Sequence, residues 1–199
     1  MSRTLTIKVE ELNEDWLNQL KEDHPGAAVE LIIHDELTAS RMDEATFWKV
    51  IDQLDWNIGE SEEEILKPAV QYLRQFDLSS IYRFYDILSE KLYELDTQVH
   101  AEANGANRYG GPEPFLSDSF LYMRAAVVAN GKSFFERVLK EPQEMPGDYT
   151  FEALLDLAPK AYEAKTNQPW TYQAPTSFET FSNREGWNGK SWEDQLLSK

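Results

Sequence analysis

The sequence predicts a mainly α fold: one helical domain, carrying a small N-terminal strand-helix-strand unit and an ordered aromatic C-terminal tail. Three observations carry that expectation. Apolar residues recur at helical spacing from about Asp43 to Ala164, the first 36 residues alternate with period two around a short helical stretch, and residues 166–199 are rich in rings that a disordered tail would lack.

In the first unit, Leu5-Thr6-Ile7-Lys8-Val9 and Val29-Glu30-Leu31-Ile32-Ile33 read as strands. Between them Asn13 is placed to cap a helix through Trp16, Leu17 and Leu20, which His24-Pro25-Gly26 stops. Two strands and one helix bury too little to stand alone, so this unit over residues 1–36 is expected either to pack on the rest of the chain or to add its open edge to another sheet, with a homodimer through its strands as a candidate.

The helical domain is expected over residues 43–165. Asp43 caps a helix that buries Phe47, Val50, Ile51 and Leu54, with Trp48 half-buried. Ser61 and Glu64 have capping-box spacing, with Pro68 near that helix's first turns. Asp77 caps the clearest helix, in which Leu78, Ile81, Tyr82, Tyr85, Leu88, Leu92 and Leu95 repeat on one face and which runs to about Val99. The run from Asn104 to Pro114 holds three glycines and two prolines and reads as a long loop. Ser117 or Asp118 then caps a helix whose residues 120–129 are apolar almost all round, as a central helix requires. Asn130-Gly131 ends it, Lys132–Leu139 forms a short helix closed by Glu141-Pro142, and a last helix spans about Thr150–Ala164 with Pro159 as a kink. Residues 166–199 show no sustained period, yet Trp170, Tyr172, Phe178, Phe181, Trp187 and Trp192 predict that the tail is laid down on the helical body.

Composition removes several classes of function. Among 199 residues, 36 are acidic and 19 basic, a net charge of −17, and there is no cysteine and only three histidines. Disulfide frameworks, thiolate metal sites and cysteine nucleophiles fall with the cysteines. The acidity is concentrated in residues 1–100, with 22 acidic against 9 basic side chains, which disfavours direct binding to nucleic-acid phosphate. No run of about 20 apolar residues suggests a membrane span, and Met1 leads into a strand pattern rather than a signal peptide, so the expected location is the cytoplasm. No Gly-rich phosphate loop, His-Glu-x-x-His or Gly-x-Ser-x-Gly pattern is present, so no catalytic residue, metal ligand or cofactor is assigned and the leaning is away from an enzyme.

Arg124 is the sharpest single feature, because a guanidinium within an apolar helix must find a counter-charge or water. One reading is a buried ion pair with a carboxylate on the long helix, such as Asp86 or Glu90. The other is an anion-recognising pocket in which Arg124 works with Ser117 and Asp118 at the helix start and Arg108 and Tyr109 from the loop. Asp96 and His100, four residues apart, read as a surface pair, and His24 and His34 as solvent-facing. The run Glu60, Glu62, Glu63, Glu64 reads as a solvated helix start favoured by the helix dipole, with a docking patch for a basic partner as its rival.

Phe47-Trp48-Lys49-Val50-Ile51-Asp52, the run from Ser117 to Gly131 with its central Arg124, and Glu141-Pro142 together resemble the bacterial family called domain of unknown function 4240 (DUF4240). The resemblance covers about residues 43–165, and the tail from Tyr172 to Trp187 resembles longer variants of that family. It implies no activity. Two functions are therefore carried forward: an acidic protein-interaction module, regulatory or inhibitory, that meets a partner with a basic surface, and alternatively an enzyme or small-ligand binder built on the pocket around Arg124 and the 104–118 loop.

Overall fold

The computed structural model describes residues 13–26, 42–58, 61–147 and 149–191. The chain divides into two compact units, Met1–Asp35 and Glu36–Lys199. The expected strands 5–9 and 29–33, together with His34 and Trp192, lie outside the described residues. Among the described residues there are eight α-helices, three 3-10 turns and no strand.

In the first unit, α1 (Glu14–Asp23) begins where the Asn13 side chain accepts the Trp16 N–H at 2.9 Å, and His24 closes it. The second unit opens on α2 (Glu44–Ile51), where Asp43 accepts the Thr46 N–H at 2.7 Å. Trp48 is fully buried with Phe47, Val50 and Ile51, rather than half-buried, because its ring lies against Phe47 and Phe135.

Ser61 caps α3 (Glu62–Leu73) through the Glu64 N–H. Pro68 stands inside this helix, past its first turn, so the carbonyl four residues back loses its amide partner. That cost, about 3 kcal/mol, is offset by burying Leu66, Ala69 and Leu73.

Asp77 caps α4 (Leu78–Glu94), which buries Ile81, Phe84, Ile87, Leu88 and Leu92. The helix stops at Glu94, short of the expected Val99. Leu95-Asp96-Thr97 breaks it, and Thr97 caps a new short helix, α5 (Gln98–Glu102), through the His100 N–H. The break aims Asp96 into the interior, where it is fully buried.

The 104–114 loop folds back by a hydrogen bond from the Tyr109 N–H to the Ala101 carbonyl at 2.9 Å. Gly105 has φ +57°, and a Cβ there would come within 2.8 Å of the Gly147 carbonyl oxygen, so the loop depends on glycine to approach that second strand of backbone. Next, α6 (Ser117–Ala129) is buried at every position from Phe120 on except Tyr122, as its uniform apolarity demands. It packs on α4, on α7 (Lys132–Lys140) and on the 3-10 turn Glu152–Asp156. The expected helix over 150–164 is divided between that turn and α8 (Leu157–Thr166), which packs on α3 and α4. Pro159 falls in the first turn of α8, where its missing N–H would have no helical partner, so it starts the helix instead of kinking it.

Asn167, with φ +57°, ends α8 and releases the tail. From Trp170 to Thr180 the even-numbered residues are half-buried and the odd-numbered ones exposed. That is the period of an extended chain, and it replaces the absence of period expected from the sequence. Tyr172 stacks on Tyr82 at 4.5 Å and donates its hydroxyl to Asp86 at 3.0 Å, while Trp170 packs edge-on against Tyr85 and Tyr162.

Candidate functional site

Arg124 is 0% exposed, and so is Asp96. The guanidinium stands 3.8 Å from an Asp96 oxygen, so the counter-charge predicted for it is supplied by Asp96, not by Asp86 or Glu90. Those two carboxylates are engaged elsewhere, Asp86 by the Tyr172 hydroxyl and Glu90 by Arg83. Arg124 Nη1 donates to the Leu92 carbonyl at 2.8 Å and the Phe178 carbonyl at 3.0 Å, and Nη2 donates to the Thr180 hydroxyl at 2.9 Å. The guanidinium carbon also lies 4.8 Å from the centre of the Phe120 ring. Burial pulls the Arg124 pKa down to about 10 and the Asp96 carboxylate acts against it, so the charge is retained at neutral pH.

Asp96 is held from the other side by the tail. It accepts the backbone N–H groups of Phe181 at 3.3 Å and Asn183 at 3.0 Å, and the indole N–H of Trp187 at 2.8 Å. Charge-assisted bonds of this kind are about twice as strong as neutral ones. Trp187, also 0% exposed, sits among Tyr109, Phe115, Phe120 and Phe181 with ring centres 4.3 to 6.1 Å away.

The residues expected around Arg124 are distributed differently. Ser117 reaches it only through Thr180, whose hydroxyl accepts from Arg124 and donates to the Ser117 carbonyl at 2.8 Å. Neither Ser117 nor Asp118 caps α6; Leu116 occupies the cap position without a side-chain bond, and Asp118 is exposed in the first turn. Arg108 is exposed, while the Tyr109 ring packs edge-on against Phe115 and Trp187. His100 is buried rather than at the surface. Its Nε2 donates to the Val138 carbonyl at 3.2 Å, so Nδ1 accepts from the Thr97 hydroxyl at 2.7 Å. Burial, assisted by the Arg124 charge, lowers its pKa below the ordinary 6.5. His24 is exposed, as expected. Among the described residues no three metal-ligating side chains converge, and no helix is long and apolar enough to cross a membrane.

A cleft of about 560 Å³ opens beside the start of α6. Six carboxylates line it: Glu62 and Glu63 from the first turn of α3, Asp118 from that of α6, Glu152 and Asp156 from the 3-10 turn, and Glu179 from the tail. Lys160 is the one basic residue of the lining, 3.3 Å from Glu63. Glu62 accepts the Ala153 N–H at 2.9 Å, which ties α3 to the 3-10 turn. The Tyr122 hydroxyl lies within reach of Glu152, whose acceptance of its hydrogen bond holds the phenol above its ordinary range. Three of the acidic groups, Glu62, Glu63 and Asp118, sit in the first turns of α-helices, where the helix dipole offsets some of their mutual repulsion. The run at 60–64 signalled part of this surface; Glu152, Asp156 and Glu179 join it only through the tertiary fold and carried no local signal.

No curated protein and no solved structure matches the chain. A family match does cover residues 42–164, described as protein of unknown function (DUF4240), and it stops before the tail that the sequence resemblance extends into. More than half of the chain lies within that match, including Asp96, Arg124 and most of the acidic cleft, and the protein belongs to the DUF4240 family.

Proposed function

We propose that the protein is an acidic interaction module of the cytoplasm, and that the cleft between α3, α6, the 3-10 turn and the tail docks a basic segment of a partner protein. The observation that carries this reading is the lining of six carboxylates against a single lysine. Low-dielectric walls such as Leu121, Leu155 and Phe178 concentrate the field of those charges within the cleft, which would speed the approach of a cationic segment and select against acidic competitors. The alternative, an anion pocket at Arg124, is disfavoured because that guanidinium is sealed and engaged by Asp96, two carbonyls and a hydroxyl.

The test is binding of a fluorescent peptide alternating Lys and Arg with Gly, measured by anisotropy at two salt concentrations. Neutralising Glu63, Glu152, Asp156 and Glu179 together is expected to weaken binding by about tenfold or more, with a shallower salt dependence. A control variant that neutralises Glu22, Glu113, Glu141 and Glu185 changes the net charge equally but leaves the cleft intact, and it should bind nearly as wild type. Equal losses in the two variants would show that attraction is a property of net charge alone and remove the cleft as the docking site.

A further inference from the structure

Among the described residues, the donors to Asp96 are Phe181, Asn183 and Trp187, beyond the end of the family match at residue 164. Asp96 itself, Arg124 and the rings of Tyr109, Phe115 and Phe120 all lie within it. The helical body thus supplies a recess, and a separate segment of chain fills it.

The contacts have the character of peptide recognition. The body reads main chain at four points: Asp96 takes the N–H groups of Phe181 and Asn183, Arg124 takes the Phe178 carbonyl, and the Gln98 N–H donates to the Gly186 carbonyl at 3.0 Å. Side chains add selectivity. Thr180 bridges Arg124 to Ser117, the Asn183 amide donates to the Tyr93 carbonyl at 3.2 Å, and Trp187 fills the aromatic pocket while its indole N–H reaches Asp96. The segment also shapes itself, since the Gly186 N–H donates to the Asn183 side chain at 2.9 Å and the Trp187 N–H to the Asn183 carbonyl at 3.0 Å. Glycine is required at 186, where a Cβ would lie 2.7 Å from the Thr97 methyl and 3.0 Å from the Asn183 amide. Phe181 is held at φ +75°, a conformation that phenylalanine rarely adopts and that persists only when surrounding contacts enforce it. Between α8 and this segment, Asn167, Gln168 and Pro169 are exposed, after which Trp170 and Tyr172 pack on Tyr82 and Tyr85 before the chain reaches the recess.

We propose that the recess around Asp96 and Arg124 is a peptide-recognition site for the turn Phe-x-Thr-Phe-x-Asn-x-x-Gly-Trp, occupied in cis by residues 178–187 and open to the same sequence from a second copy of this chain. The site is distinct from the acidic cleft in chemistry and in ligand, although Phe178 and Glu179 border both. Loss of basic-peptide binding at the cleft would therefore leave this proposal standing, and the reverse holds as well.

The test uses the full chain with a specific protease site inserted between Gln168 and Pro169, cleaved after folding. The tail fragment is expected to stay with the body through gel filtration, and a fluorescent synthetic peptide of residues 169–191 is expected to exchange into the nicked protein with near-ultraviolet circular dichroism unchanged. Peptides carrying Trp187→Ala or Gly186→Val should compete about tenfold or more weakly, and a nicked Asp96→Asn protein should release its fragment at higher concentration than the parent. The proposal is overturned if the peptide does not exchange, if the body loses its tertiary spectrum whenever the fragment leaves, or if the altered peptides compete as well as the natural one.

Discussion

Replacing Asp96 by Asn removes one charge and almost no volume, so its effect isolates the electrostatics of the buried centre. Arg124 would keep its bonds to the Leu92 and Phe178 carbonyls and to Thr180, yet the buried counter-charge of Asp96, 3.8 Å away, would be gone. At that separation, with an effective dielectric constant near 20, the lost attraction is about 4 kcal/mol, in line with the roughly 3–5 kcal/mol typical of breaking a buried pair. The tail N–H groups that now converge on a carboxylate would in addition face an amide that offers one acceptor oxygen instead of two. Arg124→Met should cost less, because Asp96 would retain its three donors from the tail while the orphaned carbonyls are weak acceptors by comparison. Urea denaturation followed by tryptophan fluorescence and far-ultraviolet circular dichroism would give both values, and the double variant would give the coupling. A cost below about 1 kcal/mol for Asp96→Asn, or additivity of the two single losses, would refute the reading of Asp96 and Arg124 as a buried pair that fastens the tail.

Trp187→Ala empties a pocket bounded by four aromatic rings and should destabilise by about 3–5 kcal/mol in the same assay; a change under about 1 kcal/mol would mean the ring is not packed as described. Deleting residues 168–199 should lower the melting temperature clearly, since it uncovers Tyr82, Tyr85 and the Asp96 recess, and an unchanged melting curve would contradict the packing of the tail. His100 is neutral when buried and its pKa is depressed from 6.5, so the unfolded chain binds the proton first; its contribution is fully present above pH 6.5 and is lost as pH falls below that value toward the lowered one. The slope from this group is at most about 1.4 kcal/mol per pH unit, and it should vanish in His100→Gln while the slopes due to carboxylates remain.

How much of this was legible in the sequence follows from the range of each interaction. Caps are local, and Asn13, Asp43, Ser61 and Asp77 each accept the N–H three residues on, as their positions predicted. The uniform apolarity of residues 120–129 likewise located the central helix, and it made Arg124 stand out as a charge in need of a partner. The identity of that partner was not legible. Asp86 and Glu90 lie on the regular face of α4, whereas Asp96 acquires its inward direction only because the helix breaks at Leu95-Asp96-Thr97 and restarts under the Thr97 cap. The same break explains why Asp96 and His100, read as neighbours on one helix, are buried separately. In the tail, the alternation of Trp170, Tyr172, Ala174, Thr176, Phe178 and Thr180 is present in the sequence, but residues so varied in polarity mark no face. The acidic cleft gathers side chains from four separate segments, and only the segment at Glu62 and Glu63 had enough local charge to attract notice.

The most direct measurement of the functional claim is a titration of isotopically labelled protein with the Lys/Arg peptide, following backbone amide shifts by NMR. If the cleft is the docking site, the shifts will cluster at Glu62, Glu63, Asp118, Tyr122, Ala153 and Glu179 and will fade as salt is raised. Shifts spread evenly over the acidic surface, or centred on Asp96 and Arg124, would contradict it.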